Sequence, residues 1–241
     1  MIEAILLDLD GTLLNVDMDS FLERYLKKLA QHLAAFTDPA SFSKNLWAST
    51  GAMVRNTDPQ KTNKDAFIEH FCTWMDHSQE QVWPCIDEFY ENVFPTLQED
   101  IGPFPGVPYV MEKLRQSGCR LVLATNPIFP LSAILHRMKW AGLNPEDFAL
   151  ITSYEKMHYC KPNPMYYLEI ARMINVAPEK CLMVGNEYLF DIEPAEKAGM
   201  HTFLVDETLG ALDNENKRGR LLDLLTFLSS LTAQKTREEK K

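Results

Sequence analysis

The sequence predicts an α/β fold: a doubly wound parallel sheet, interrupted near its start by a block of helices. Three observations carry this reading. Residues 1–9 form an apolar run broken only by Glu3 and Asp8, as expected of a strand covered on both faces. From about residue 107 to 205, helix-period segments alternate with short apolar runs, the pattern of right-handed crossovers between parallel strands. Between them, from about Asp17 to Thr96, only amphipathic helical runs occur.

The elements follow in order. The first strand is followed by the helical runs "FLERYLKKLAQHL", "DAFIEHFCTWM" and "CIDEFYENVF", with Asp38-Pro39 and Asp58-Pro59 as turns. The proline- and glycine-rich "DIGPFPGVP" reads as the return linker. Then come a helix over 107–117, the strand "RLVLATN", a helix over 131–141 and the short strand "FALITS". The helix "PMYYLEIARMI" leads to the strand "CLMVG", and a helix over "DIEPAEKAG" leads to the strand "TFLV". A last helix over 221–231 runs into the charged tail "KTREEKK", expected to be frayed and solvated.

Composition narrows the function. The 241 residues, 46% hydrophobic, suffice for one large core with an inserted smaller unit. A formal net charge of −10 disfavours nucleic acid and anionic membrane surfaces, which demand a basic face. No apolar run reaches the roughly 18 residues of a membrane span. The strand-like, acid-bearing start is not that of a signal peptide. Cys72, Cys85, Cys119, Cys160 and Cys181 are scattered, odd in number and without a CxxC pair, so free thiols in a reducing cytoplasm are expected.

In open α/β sheets, ligands bind beyond the carboxyl ends of the strands. Asp8 and Asp10, Thr125 and Asn126, and the segment 185–191 all fall at such ends, and Lys161 lies on a loop that reaches the same edge. Burying two acids at the end of an apolar strand is costly unless they are paired or metal-bound. A carboxylate there can act as a nucleophile, and a second can protonate the leaving group and then activate water. Gly11 permits a sharp turn that directs backbone N–H groups at an anion. An oxygen-only cluster suits Mg²⁺, and Lys161 is the natural point charge for a phosphate in so acidic a chain.

"DLDGTLL" resembles the first motif of the haloacid dehalogenase superfamily, "LVLATN" the second, "CKPNPMYY" the third and "MVGNEYLFDIEPAEKAGM" the fourth, in the family's order. The resemblance implies a Rossmann-like core from residues 1–14 and 103–241, and a helical cap domain from 15–102. It implies a phosphatase in which Asp8 is the nucleophile and Asp10 the general acid/base. Asp8, the Asp10 carbonyl, Asn186 and Asp191 would hold Mg²⁺. Gly11, Thr125, Asn126 and Lys161 would hold the transferring phosphoryl group. The expected substrate is a small phosphorylated metabolite, handled by a cytoplasmic monomer or homodimer.

Plainer readings stand beside these. Asp10-Gly11 could be only a turn, Thr125 a helix cap, Lys161 a solvated loop residue and Asp191 a helix N-cap as well as a metal ligand. His136, His158 and His201 are read as structural, the four tryptophans as packing inside or beneath the cap, and Arg55 near Gly51 as a candidate specificity residue. Asp10 argues against haloacid dehalogenation, whose enzymes lack an acid there, and nothing points to the bisphosphate site of a phosphomutase. The sequence departs from the family pattern at Asn186, where an Asp is usual, so a catalytically weak binding or regulatory protein is the alternative to the enzyme.

Overall fold

The computed structural model describes residues 1–75 and 77–238. In chain order the elements are β1 (Ala4–Leu7), β2 (Leu14–Asn15), α1 (Met18–His32), α2 (Pro39–Val54), α3 (Asn63–Phe71), α4 (Gln79–Glu88), β3 (Gly102–Pro103), α5 (Val107–Gln116) and β4 (Arg120–Leu123). They continue with α6 (Leu131–Trp140), β5 (Leu150–Ile151), α7 (Pro164–Met173), β6 (Cys181–Gly185), α8 (Glu193–Lys197), β7 (His201–Val205), β8 (Arg218–Gly219) and α9 (Leu224–Glu238). Six strands form one parallel sheet in the order β5-β4-β1-β6-β7-β8. Among the described residues no helix is long and apolar enough to cross a membrane.

Alternation along the central strands builds both layers of the core. Ile5, Leu7, Leu121, Leu123, Leu182 and Val184 face one side, with residues of α5, α6 and α9. Ala4, Leu6, Val122 and Met183 face the other, beneath Tyr166, Tyr167 and Ile170 of α7. This is the doubly wound arrangement, with both faces of the sheet dry. The register sets Leu7 beside Leu123 and Val184, so β1, β4 and β6 end side by side. The Asp8 N–H donates to the Val184 carbonyl at 2.9 Å, which carries the ladder up to the first acid of the site.

The helices α1–α4 form an inserted cap between β2 and β3. The entering and leaving chains pair antiparallel, Leu14 with Pro103 and Asn15 with Gly102, so the insertion is closed by its own neck. α1 starts where Asp17 accepts the Ser20 N–H at 2.8 Å, and α3 where Thr62 and Asp65 form a capping box. Cap and core share one apolar cluster: Phe94 stacks on Trp140 of α6 with ring centroids 5.5 Å apart. Buried Asn63, first residue of α3, adds polar ties to the core, donating from Nδ2 to the carbonyls of Pro127 (3.3 Å) and Tyr159 (3.2 Å).

The structure differs from the sequence expectation in several elements. α2 went unseen because Ser, Thr, Asn and Gly51 interrupt any clear apolar stripe in "PASFSKNLWASTGAMV". β8 is two residues at the sheet edge, too short for a periodic signal. "FALITS" contributes only Leu150–Ile151 to the sheet, because Thr152 turns its hydroxyl back onto the Leu123 and Thr125 carbonyls. The last helix starts at Leu224 rather than 221, since Asp223 accepts the Arg220 N–H and closes a separate turn over Leu221–Asp223. It continues through Lys235 to Glu238, unbroken by Gly or Pro, where a frayed tail was expected; residues 239–241 of that tail lie outside the described residues. Trp47, expected to be packed, is 46% exposed.

Candidate active site

The sheet's carboxyl edge brings the motif residues to one cleft of about 340 Å³, lined by Asp8, Asp10, Thr125, Asn126, Lys161 and Asp191 together with Arg137, Glu187 and cap residues. Asp8 caps the central strand and is buried. Lys161 Nζ lies 2.7 Å from Asp8 Oδ1 and 2.6 Å from Asp191 Oδ1, so one buried cation serves two carboxylates. The Lys161 N–H donates to Asn126 Oδ1 at 3.2 Å, which fixes the loop that carries the lysine. The Thr125 carbonyl accepts from the Thr152 and Tyr166 hydroxyls, both at 2.8 Å, and so pins the end of β4.

The Thr12 hydroxyl lies 3.1 Å from Asp8 Oδ2 and 3.0 Å from Asn186 Oδ1; its single proton serves one at a time. Close packing demands two glycines here. A Cβ on Gly185 would sit 2.3 Å from Asp191 Oδ2, and one on Gly11, which has φ +84°, 2.4 Å from Asn186 Nδ2. Asp191 is held in a wide helical turn over Tyr188–Ile192, where its Oδ2 accepts the Glu187 N–H at 3.0 Å. The Tyr167 hydroxyl braces that turn by donating to the Phe190 carbonyl at 2.5 Å.

Burial and shared charge set the protonation. Burial pushes the Asp8 carboxyl up to about 7, with the Asp191 and Asp10 charges adding to the rise and Lys161 opposing it. Burial works against charge on Lys161, but Asp191 and Asp8 outweigh it and hold the ammonium well above its ordinary value. Burial, then the Asp191 charge, raises Glu187.

Most expected residues converge: Asp8, Asp10, Thr125, Asn126, Lys161 and Asp191 all line the cleft. Two expectations are corrected. The Gly11 N–H donates to the Leu14 carbonyl at 2.8 Å within its own turn, so Gly11 makes room for Asn186 rather than presenting an N–H to a phosphate. Asp191 is not an N-cap, because it lies inside the helical turn and its side chain reaches back to Glu187. Arg55 is exposed and folds back along α2 over Gly51, away from the cleft walls. His158 is structural as expected, its Nδ1 2.6 Å from Glu169 Oε1, and the cysteines are free thiols. In the cap, His32, Cys85 and Glu88 bring ligand atoms within 4.8 Å of one another, though His32 Nε2 is already engaged by the Cys85 carbonyl at 3.0 Å.

Sequence reasoning missed Arg137 and Thr12. Arg137 Nη1 lies 2.5 Å from Asp10 Oδ2, with only 2% of the arginine exposed. The signal was present: Ala133, Ile134 and Met138 mark the buried stripe of α6, and Arg137 stands within it. A charge on such a stripe requires a buried partner.

The donor set fits a hard divalent cation. Asp8 Oδ2 and Asn186 Oδ1 flank the same Thr12 hydroxyl, and both are oxygens. Asp10 Oδ2 is taken by Arg137, while its Oδ1 is buried without a hydrogen-bond partner. Both Asp191 oxygens are engaged, by Lys161 and the Glu187 N–H.

A parallel α/β sheet with an inserted helical cap, and with acids, a lysine and a threonine at its carboxyl edge, defines a hydrolase of the capped α/β class. The profile of the haloacid dehalogenase-like hydrolases matches residues 2–199, and the chain belongs to that family. It is 28% identical over 204 residues to a phosphoglycolate phosphatase of Aquifex aeolicus, covering 83% of each chain. It is 30% identical over 137 residues to a glyceraldehyde 3-phosphate phosphatase of Methanothermobacter thermautotrophicus, covering 56% of this chain and 57% of that one. A phosphatase of the family from Thermococcus onnurineus shares the fold, with TM-score 0.57 at 20% identity over 94% of this chain and 98% of that one. A 2-haloacid dehalogenase from Pseudomonas syringae shares it as well, with TM-score 0.61 at 20% identity over 96% and 100%.

Proposed function

We propose that the protein is a Mg²⁺-dependent phosphomonoesterase that works through an aspartyl-phosphate on Asp8. The observation that supports this most is the buried Asp8 at the tip of the central strand, 2.7 Å from Lys161 Nζ, with a second acid facing the same cleft. Ionised Asp8 attacks the phosphorus through one carboxylate oxygen. Lys161 and the Thr125 hydroxyl hold the phosphoryl oxygens as charge spreads over them. Asp10, held at Oδ2 by Arg137 and protonated at its unpartnered Oδ1 in the substrate complex, gives that proton to the departing alkoxide and then takes one from the water that cleaves the acyl-phosphate, restoring Asp8 and releasing phosphate. Mg²⁺, held by Asp8, the Asp10 carbonyl and Asn186, with Asp191 acting through water, would neutralise negative charge between nucleophile and phosphate. The cap excludes water from the reacting groups.

The names of the curated relatives support phosphatase over dehalogenase or phosphomutase chemistry, and so does Asp10. The net charge and the enclosed cleft favour a small phosphorylated metabolite in the cytoplasm over nucleic acid or a membrane. The second reading, a binding protein with a weakened metal site, rests on Asn186 alone. Hydrolysis of p-nitrophenyl phosphate with and without Mg²⁺, by wild type and Asp8→Asn, separates them. The enzyme reading requires Mg²⁺-dependent turnover lost in Asp8→Asn; a folded wild type that hydrolyses nothing at millimolar Mg²⁺ contradicts it.

A further inference from the structure

We propose, resting on the phosphomonoesterase reading, that the substrate's leaving group is uncharged and apolar and that it lodges in a cavity inside the cap. That cavity, about 60 Å³, lies among α1, α2, α3, α4 and the loop after β4. It adjoins the cleft: Leu22, Ile128 and Phe129 are walls of both. Several times the space one water needs, it takes a few carbon atoms. Beyond the shared residues its walls are aliphatic and aromatic, including Leu26, Leu29, Phe67 and Phe71. The Tyr25 and Tyr90 hydroxyls in the wall bond each other at 2.7 Å, and the Thr50 hydroxyl donates to the Leu46 carbonyl at 3.0 Å. These three polar groups are thereby satisfied without a ligand, while Trp83 Nε1 of the same wall is buried without a hydrogen-bond partner.

Charge argues the same way. The cleft walls carry the acids Asp8, Asp10, Glu187 and Asp191 against the cations Lys161 and Arg137. Lys161 is matched by two carboxylates, and the phosphate would claim it next. Arg137 Nη1 is matched by Asp10, while its Nε and Nη2 are buried without a hydrogen-bond partner and its guanidinium lies 4.6 Å from the Phe129 ring centroid. The cavity wall itself carries no cation among the described residues. A carboxylate or second phosphate lodged in that cavity would therefore be buried without a cation in its wall. A short hydrocarbon enters at no such cost.

The test compares kcat/KM, with Mg²⁺, for methyl, ethyl, n-butyl, isobutyl and carboxymethyl phosphates, the last being phosphoglycolate. The alkyl members leave as alcohols of nearly equal basicity, so their ratios report seating rather than chemistry. Each buried methylene is worth about fourfold, ~0.8 kcal/mol, so n-butyl should exceed methyl phosphate by roughly 50-fold. Isobutyl phosphate, the uncharged isostere, should exceed phosphoglycolate at least tenfold. Leu26→Phe, which narrows the cavity away from the reacting groups, should cut the butyl-to-methyl ratio about tenfold while methyl phosphate turnover is kept, which also shows the variant folded. A flat chain-length series, or phosphoglycolate ahead of isobutyl phosphate, overturns this inference while Asp8-dependent hydrolysis leaves the phosphatase reading standing. A folded wild type that hydrolyses none of them overturns both.

Discussion

Arg137 Nη1 lies 2.5 Å from Asp10 Oδ2, a nearly dry ion pair that joins the helix after the second motif to the second acid of the first. The pair fixes where the Asp10 carboxyl points. Arg137→Met should lower kcat/KM for alkyl phosphates by about 10²-fold, the scale of a displaced general acid, and cost much less with p-nitrophenyl phosphate, whose leaving group needs little protonation. Arg137→Lys should restore part of the loss, since it keeps the charge but not the planar fork. Equal losses on the two substrate types would leave Arg137 only a packing role.

Asp8 gives the pH prediction. Its carboxyl is held up to about 7 by burial, against an ordinary 3.8. Between those values the folded chain keeps a proton that the unfolded chain releases, so stability falls as pH rises from about 4 to 7. Lys161 stays charged throughout this window and contributes no slope. In EDTA the protein should therefore melt several degrees higher at pH 5 than at pH 8, and Asp8→Asn should flatten that difference. Scanning calorimetry of both proteins checks it, and the same slope in Asp8→Asn would count against a buried, proton-holding Asp8.

Much of this was legible in the sequence because the residues concerned obey strong local rules. The stretch Ala4–Leu7 that leads to Asp8 has no polar residue to let it face water, and Lys161 and Asp191 stand at fixed places in motifs. What was illegible depends on packing. Arg137 declares its role only once α6 is known to turn that face inward. The Gly11 N–H and the Asp191 side chain satisfy partners within their own turns, which spacing alone cannot reveal. α2 lacks a periodic stripe, yet its Leu46 and Met53 are buried by neighbouring helices and core loops.

Asn186 predicts a metal effect. Asn186→Asp restores one negative charge beside the Thr12 hydroxyl, where the neutral side chain now offers Oδ1. Mg²⁺ affinity should tighten by about tenfold, a modest gain for one added charge in a partly solvated site, and activity at low Mg²⁺ should rise. Isothermal titration of both proteins decides the point; unchanged affinity would remove Asn186 from the ligand set.

Asn63 predicts a stability effect. Its side chain bridges the Pro127 and Tyr159 carbonyls, and its N–H donates to the Met157 carbonyl at 2.7 Å. Asn63→Ala leaves two carbonyls short of donors and should cost about 1–3 kcal/mol in urea unfolding. A change within about 0.5 kcal/mol, the scatter of ordinary surface substitutions, would show that the apolar seam alone fixes the cap.

The central claim is that Asp8 becomes phosphorylated during turnover. Wild type mixed with a turned-over phosphomonoester and Mg²⁺, quenched in acid within milliseconds and digested, should carry a phosphoryl mass increment on the peptide containing Asp8. Borohydride reduction of the quenched protein should convert that residue alone to homoserine. Turnover with the label on another residue, or with no covalent species under conditions that trap acyl-phosphates, would contradict the account.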